Sequence, residues 1–316
     1  MTRPSFPRRH STWLANTLAI ASLAALSGCA RSDEPFARLS GLLVDAQLDE
    51  VSGMAASQRH VDVLWLIDDG GNPARLFAVS KRGRALAQFN IAGVAKTDWE
   101  DLAAFELDGK RYLLIADTGD NGGLRKTLQL HAVEEPSRLE SSARKSMTLK
   151  PAWSIAFQWP DGARDCEAIA VDAVQKNILL ISKKRHPAEL FVLPLKPRDK
   201  GLQTARLIGT LTGVPQASAQ DRTANPARAR LHGQITAADI SPDRRTLAVM
   251  TYRNVLLYVR APKQTWQQAA AVKPRVHALP WLPQPEALTW SANGRGLYAT
   301  GEFSPAPLLY LTPTGR

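Results

Sequence analysis

The stretch ITAADISPDRRTLAVMTYRN (residues 235–254) contains two short apolar strands joined by a turn, and a small polar residue, Thr236, opens the first strand. Comparison of the chain with itself finds four further segments of this kind. Each continues into a second and a third β-rich strand, with turn signals such as Asn293-Gly294 between them. The other four openings are Ser52-Gly53-Met54-Ala55, Glu100-Asp101-Leu102-Ala103, Glu167-Ala168-Ile169-Ala170 and Glu286-Ala287-Leu288-Thr289.

Uneven spacing between these openings favours four-stranded antiparallel blades with variable outer loops over a strictly periodic solenoid. We therefore predict an all-β fold, a β-propeller of five blades. The fifth unit ends after its third strand, so its fourth strand is expected from Ala37 to Val44, which would close the ring and cover exposed strand edges. Six blades are the alternative, because residues 207–232 could contain a weak unit. Val214 to Arg230 lacks alternating apolar residues and is better explained as one long loop.

Residues 1–28 have the three-part layout of a secretory signal. Arginines occupy positions 3, 8 and 9, no acidic residue is present, and the apolar run from Trp13 to Leu26 is too short to span a bilayer. The run ends in Leu26-Ser27-Gly28-Cys29, which resembles the lipobox of bacterial lipoproteins. A soluble secretory signal with an incidental cysteine is the alternative.

This interpretation predicts three regions: a signal peptide (1–28), a short tether (29–36) that begins at a lipidated Cys29, and a single propeller domain (37–316). The lipid would be the contact with the membrane. The residue after the cysteine is Ala30. An aspartate at this position would resemble an inner-membrane retention signal. We therefore expect an exported protein on the periplasmic face of the outer membrane.

The chain is basic, with a net charge of +11, and +8 remains once the three signal arginines are removed. Such a balance favours anionic lipids, envelope polymers or phosphorylated ligands. Nucleic acid is not expected as a partner, because the basic residues are scattered and no zinc-ligand spacing accompanies them. After Cys29 only Cys166 remains, so an intramolecular disulfide is excluded. Cys166 lies between two acidic residues, which favours a small buried residue over a nucleophile.

Polar residues should gather at one end of the propeller. In an antiparallel blade, the start of the innermost strand and the loop between the second and third strands lie at the same end. The first set of positions comprises Ser52, Glu100, Asp101, Glu167, Thr236 and Glu286. The second comprises Asp68-Asp69, Asp117 to Asn121, Ser182 to His186, Tyr252 to Asn254 and Gly301-Glu302.

Three glutamates at equivalent repeat positions, Glu100, Glu167 and Glu286, would converge on the tunnel axis. Carboxylates held together must be protonated, hydrogen-bonded or neutralised by a cation. Calcium is the expected cation, because it accepts oxygen ligands in flexible coordination and the sequence has no histidine or thiolate cluster. Asp117, in the turn of the second blade, is predicted as a further ligand. The alternative is that backbone N–H groups satisfy the glutamates.

Two cations on the same end are candidates for binding an anionic ligand. Lys183 belongs to the run Lys183-Lys184-Arg185-His186, and Arg253 lies in the next blade. The simpler interpretation is a solvated loop. Neither His186 nor His232 belongs to a recognisable catalytic or metal-ligand pattern.

Five strings carry a resemblance to known proteins: DWEDLAAF (98–105), LLIADTGDN (113–121), DCEAIAVD (165–172), residues 235–254 quoted above, and QPEALTWSANGRGLYATGE (284–302). They resemble a poorly characterised family of bacterial secreted and lipoprotein β-propellers over almost all of Glu50 to Thr312. More distantly, the chain is similar to esterase-like phytase propellers and to calcium-dependent lactonase and paraoxonase propellers. The close family implies an envelope propeller without an assigned reaction. The distant families imply calcium-dependent hydrolysis, but only their acidic strand openings match here, so no catalytic residue is carried over.

Two functions follow as hypotheses. The first is an envelope module that uses its polar, calcium-containing end to bind a protein, a glycan or a small anion. The second is a calcium-dependent hydrolase of phosphate esters or lactones, in which Lys183 or Arg253 would orient the anion. The sequence leaves open whether the protein is an enzyme.

Overall fold

Short strands dominate the computed structural model, which describes residues 1–2, 35–139, 147–197 and 199–313. The chain divides into two units, Met1–Glu34 and Pro35–Arg316, and all the described strands belong to the second. Cys29, most of the tether and all but the first two residues of the predicted signal peptide lie outside the described residues. No described helix is both long and apolar enough to cross a membrane.

The first half of the propeller contains ten strands. They are β1 (Ala37–Leu43), β2 (Val51–Ala56), β3 (Val63–Asp68), β4 (Arg75–Ser80), β5 (Ala85–Ile91), β6 (Trp99–Leu107), β7 (Lys110–Asp117), β8 (Leu128–Glu134), β9 (Met147–Leu149) and β10 (Pro151–Gln158).

The second half adds twelve strands and three short helices. The strands are β11 (Ala168–Asp172), β12 (Asn177–Ile181), β13 (Glu189–Pro194), β14 (Gln203–Thr204), β15 (Arg206–Thr210), β16 (Ile235–Ile240), β17 (Thr246–Thr251), β18 (Asn254–Val259), β19 (Arg275–Ala278), β20 (Pro285–Trp290), β21 (Leu297–Gly301) and β22 (Ala306–Leu311). The helices are α1 (Ala219–Ala224), α2 (Pro226–Ala229) and α3 (Trp266–Ala270).

These strands form five sheets in the described part of the chain. From the innermost strand outward, the blades are β2-β3-β4-β5, β6-β7-β8-β10, β11-β12-β13-β15, β16-β17-β18-β19 and β20-β21-β22-β1. β9 extends blade 1 and β14 extends blade 2, each in parallel. Each innermost strand contacts the innermost strands of both neighbouring blades, so the ring closes. The predicted five-bladed propeller is confirmed.

The six-blade alternative is wrong, because the stretch that could have hidden another unit belongs elsewhere. β15 within it is the outer strand of blade 3, where it pairs with β13. The remainder forms a connection that contains α1 and α2. The apolar alternation needed for a further blade is absent there, as the sequence indicated.

The predicted closing strand is also confirmed. β1 pairs antiparallel with β22, from Ala37 opposite Leu311 to Leu43 opposite Ala306. The N–H of Thr312 also donates to the carbonyl of Phe36 at 2.7 Å. The first and last segments of the propeller therefore share one sheet, in which β1 covers the outer edge of β22.

Apolar side chains fill the spaces between blades, and the innermost strands of blades 1 and 2 approach each other closely. Trp65 and Trp99 are fully buried between blades 1 and 2. Near the axis the strands come so close that a β-carbon on Gly53 would lie 2.8 Å from the backbone of Asp101. We call the end where the innermost strands begin the upper end, and the end where they finish the lower end.

Candidate functional site

The upper end is shaped by a repeated irregularity at the start of the innermost strands. The pairing skips one residue at Ser52, Glu100, Thr236 and Glu286, which marks a β-bulge in four blades. In the third blade, Glu167 directly precedes β11. Bulges re-aim side chains and are common near functional sites. All five of these side chains are buried, with at most 9% exposed, so the repeat position predicted from sequence is a shared structural position.

Two overlapping acidic groups lie at this end. Asp69, Asp98 and Glu100 each offer a carboxylate oxygen within 4.8 Å of the others, and we call them the first acidic group. Glu100, Asp165 and Glu167 meet the same criterion and form the second acidic group. Glu100 belongs to both groups and is 5% exposed. The structure thus brings Glu100 and Glu167 together, as the sequence predicted, and adds three aspartates.

Lysines already neutralise part of the second acidic group. The ammonium of Lys183 contacts Oε1 of Glu167, and that of Lys184 lies 2.8 Å from Oδ2 of Asp165. Lys183 is buried and also lies 5.4 Å from the centre of the Tyr252 ring. Lys183 therefore belongs to the tunnel mouth instead of extending into solvent.

Glu286 lies on the other side of this lysine. The hydroxyl of Tyr252 donates to its Oε1 at 2.6 Å. Glu286 raises the pKa of Lys183, as Glu167 does, which places the three charges in one electrostatic cluster. Glu286 belongs to neither acidic group, so its predicted role as a metal ligand stays a prediction.

The first acidic group has no such partner. In the described part of the chain, no lysine or arginine forms an ion pair with Asp69, Asp98 or Glu100. Lys96 is nearby, but its ammonium donates to the backbone carbonyls of Asp68 and Asp69 at 2.8 and 2.6 Å.

Crowding of buried carboxyls raises their affinity for protons. Burial, followed by the hydrogen bond and charge of Asp69, raises the pKa of Asp98 to about 7. Burial and then the charge of Glu167 hold the pKa of Glu100 well above its usual range. The pKa of Glu167 is likewise raised, by burial and then by Glu286, whose own pKa burial raises to about 7. These buried carboxyls therefore hold protons more tightly than exposed ones, and a nearby positive charge would offset their repulsion.

Several buried polar atoms at the same ring of positions have no hydrogen-bond partner among the described residues. Oε2 of Glu167, Oγ of Ser52 and Oγ1 of Thr236 are buried and have no hydrogen-bond partner in the described protein. Buried polar atoms without partners are uncommon and costly, by about 1–3 kcal/mol each. A bound cation and the water it orders would satisfy such atoms.

Asp117, the fourth predicted metal ligand, accepts backbone hydrogen bonds from the segment that carries Asp98. Its Oδ2 accepts the N–H of Thr97 at 2.8 Å, and its Oδ1 accepts the N–H of Asp98 at 3.1 Å. Arg125 donates to the same Oδ1 at 2.6 Å. Asp117 belongs to neither acidic group and fixes the backbone of Asp98, so its predicted coordination of a metal stays a prediction.

Sequence reasoning missed Asp98 and Asp165, although a signal was present. Each lies two residues before the glutamate of its blade, in Asp98-Trp99-Glu100 and Asp165-Cys166-Glu167. The equivalent positions in the other blades are all polar: Glu50, Gln234 and Gln284. A repeated Asp-x-Glu before an innermost strand would have indicated both acidic groups.

Arg253, the second predicted ligand-binding residue, lies beside the mouth. It is exposed and lines a cavity of about 530 Å³ together with Tyr252, Trp281 and His232. Trp281 is 80% exposed. Tyr252 thus connects this cavity to Lys183 and Glu286.

Cys166 is buried, as the sequence predicted, and forms no disulfide. Burial raises the pKa of its thiol far above the usual range. A thiol in this state is a poor nucleophile, so it has a packing role between blades 2 and 3.

Comparisons with known proteins identify no family. No family model matches the chain, and no curated protein matches it. Among solved structures, the chain is similar to a luciferin-regenerating enzyme, with 10% identity over 87% of this chain and 95% of that chain and a TM-score of 0.42. It is also similar to a chain in a nidogen/laminin complex, with 13% identity over 80% of this chain and 73% of that chain and a TM-score of 0.43. Neither similarity assigns a function to this protein.

Proposed function

We propose that this chain is an exported, lipid-anchored β-propeller that binds a ligand at its upper end with the help of a calcium ion. The ion would be held by the first acidic group, Asp69, Asp98 and Glu100. The main support is that these three carboxylates converge and form no ion pair with a described lysine or arginine. Lysines already contact the second acidic group.

The donor set favours calcium over softer metals. The first acidic group offers carboxylate oxygens and contains neither histidine nor cysteine. Hard oxygen ligands suit calcium, and its flexible coordination of six to eight ligands leaves positions for backbone carbonyls, water or a ligand. When bound, calcium would supply a positive charge that attracts an anionic group.

Three features beside the acidic groups support ligand binding. Tyr252, Arg253 and the exposed Trp281 line one cavity, and Tyr252 links it to the tunnel mouth. An aromatic face together with a guanidinium suits a sugar ring or another flat group that carries a carboxylate or phosphate. We therefore favour a glycan or a small anion as the ligand.

Hydrolysis is a second candidate, supported by the state of Glu286. Its pKa of about 7 and its hydrogen bond from Tyr252 are suitable for a general base at neutral pH. If the protein is a hydrolase, a phosphate ester or lactone should turn over only with calcium present. Glu286→Gln should then abolish turnover and change the calcium affinity by no more than a few-fold. If the unaltered protein shows no turnover, the hydrolase candidate is rejected and the binding function is retained.

Calcium titration calorimetry on the metal-stripped full chain tests the proposal. We expect saturable binding that Glu100→Gln abolishes and that Asp62→Asn, a matched change on an exposed carboxylate at the lower end, leaves intact. At a hundredfold excess over Kd, calcium should stabilise the fold by about 2.7 kcal/mol. No heat of binding, or equal loss in both variants, would reject the calcium site.

A further inference from the structure

A basic groove lies between blades 3 and 4 at the lower end of the propeller, opposite the acidic groups. Its volume is about 630 Å³, and a single acidic side chain, Asp243, lines it. The turn between β16 and β17 supplies part of the lining, and the segment that follows β18 supplies much of the rest. We call this cavity the basic groove, and its cationic side chains are Arg206, Arg244, Arg245, Arg260 and Lys263.

Most of this positive charge has no partner. Arg260 forms an ion pair with Asp172 at 3.1 Å and stacks on Trp266 at 4.1 Å. Within the described residues, the other four cations form no ion pair, and all four are exposed. Asp243 is engaged, because its Oδ1 accepts from the hydroxyl of Ser241 at 2.5 Å and from the N–H of Arg245 at 3.1 Å. The groove therefore offers four free cations to an anionic ligand.

The chain enters the propeller beside this groove. Phe36, just before β1, is hydrogen-bonded to Thr312, and the next residue, Pro313, lines a smaller cavity of about 160 Å³. Asp243 and Arg245 line that cavity and the basic groove alike. A tether from position 29 to 36 can span at most about 29 Å when fully extended. A lipid on Cys29 would therefore hold this part of the propeller close to a bilayer.

We propose that the basic groove binds the phosphate groups of anionic phospholipids and fixes the orientation of the propeller on the membrane. Guanidinium groups bind phosphate through paired hydrogen bonds, and a basic patch next to a lipid anchor is an effective second membrane signal. The acidic upper end then faces away from the bilayer. The position of the groove next to a bilayer rests on the proposed lipid anchoring, whereas its affinity for phospholipid does not.

Vesicle sedimentation of the full chain carrying Cys29→Ser tests the groove without a covalent lipid. We expect stronger binding to phosphatidylethanolamine vesicles that contain phosphatidylglycerol than to vesicles of phosphatidylethanolamine alone. The vesicles without phosphatidylglycerol measure any binding that comes from the apolar signal run. Each basic residue near an anionic surface contributes about fivefold in affinity. The variant Arg206→Gln/Arg245→Gln/Lys263→Gln should therefore lose about a hundredfold in affinity for the anionic vesicles.

A matched variant at the upper end controls for net charge. The variant Lys126→Gln/Arg185→Gln/Arg230→Gln removes three exposed cations. It should bind anionic vesicles nearly as well as the protein in which these residues and the groove are unaltered. Equal losses in the two triple variants would overturn the proposal, as would a groove variant that binds normally. Binding that soluble glycerol phosphate competes away supports headgroup recognition. Capture by a soluble polyanion but not by anionic vesicles would contradict it. Detergent partitioning of the unaltered chain tests the lipid anchor separately.

Discussion

Gly119 lies against Glu100 so closely that a β-carbon at position 119 would overlap Oε1 of the glutamate. The same β-carbon would overlap Oδ2 of Asp98. The loop after β7 thus forms one wall of the first acidic group, and a side chain at position 119 would displace these carboxylates.

Gly119→Ala should therefore displace Glu100 and Asp98 and weaken calcium binding by about tenfold or more, the range typical of changes that disturb metal-ligand orientation. Gly122→Ala, in the same loop, is the control, since its β-carbon would meet only the Leu124 side chain, at 3.4 Å. Calorimetric titration of both variants measures the difference. Unchanged calcium affinity in Gly119→Ala would place the ion elsewhere.

Asp101 should be a major contributor to stability. Its side chain is fully buried and accepts the N–H groups of Leu102, Ile169 and Ala238, which belong to three different blades. Asp101→Asn replaces one acceptor oxygen with a donor that faces these N–H groups. We expect a loss of about 1–3 kcal/mol in the free energy of unfolding, measured with urea.

Asp108→Asn is the matched change on an exposed carboxylate, in a turn with positive φ that asparagine tolerates. It should alter stability by no more than about 0.5 kcal/mol. Equal effects of the two substitutions would show that Asp101 does not join the blades.

Stability of the calcium-free chain should fall as pH rises from about 4 to 7. In the folded state the pKa values of Asp98 and Glu286 are raised to about 7 from 3.8 and 4.5, so the folded chain binds more protons than the unfolded chain in this window. Stability then decreases with increasing pH. Calcium competes with these protons, so its affinity should increase across the same window.

Urea unfolding at several pH values, with chelator and with saturating calcium, measures both effects. We expect calcium to flatten or reverse the slope, and Asp98→Asn to reduce that calcium dependence. Parallel pH profiles with chelator and with calcium would show that the acidic groups titrate without a bound ion.

Cys29→Ser should prevent lipid attachment if residues 26–29 are processed as a lipobox. The expected result is loss of partitioning into the detergent phase and accumulation of unprocessed or soluble protein. Replacement of Cys166, which is buried between blades, serves as the cysteine control and should leave partitioning unchanged. Detergent partitioning that persists in Cys29→Ser would contradict the anchor.

The blade count and the closing strand could be predicted because both depend on local patterns. Alternating apolar residues mark each strand, and the missing fourth strand of the last blade left Ala37–Leu43 as its source. The shared position of Glu100, Glu167 and Glu286 followed from the alignment of the repeats, and strand direction placed it at one end of the propeller. These features need no knowledge of loop conformation.

The partners of each carboxylate could not be predicted in this way. Asp69 meets Asp98 only because the β3–β4 turn and the segment before β6 come together from different blades. Lys183 was expected in a solvated loop or against a ligand, yet it is buried against Glu167. The charge of the surrounding glutamates offsets the cost of burying its ammonium. Such pairings depend on the packing of blades 1, 2, 3 and 5 around the axis.

Anomalous diffraction from crystals grown with calcium tests the central claim most directly. The account predicts one peak at the upper end, with oxygens of Asp69, Asp98 and Glu100 about 2.3–2.6 Å from it. The peak should be absent in crystals of Asp98→Asn grown in the same way. Absence of a peak in the unaltered protein, or a peak held by other residues, would contradict the proposed calcium site.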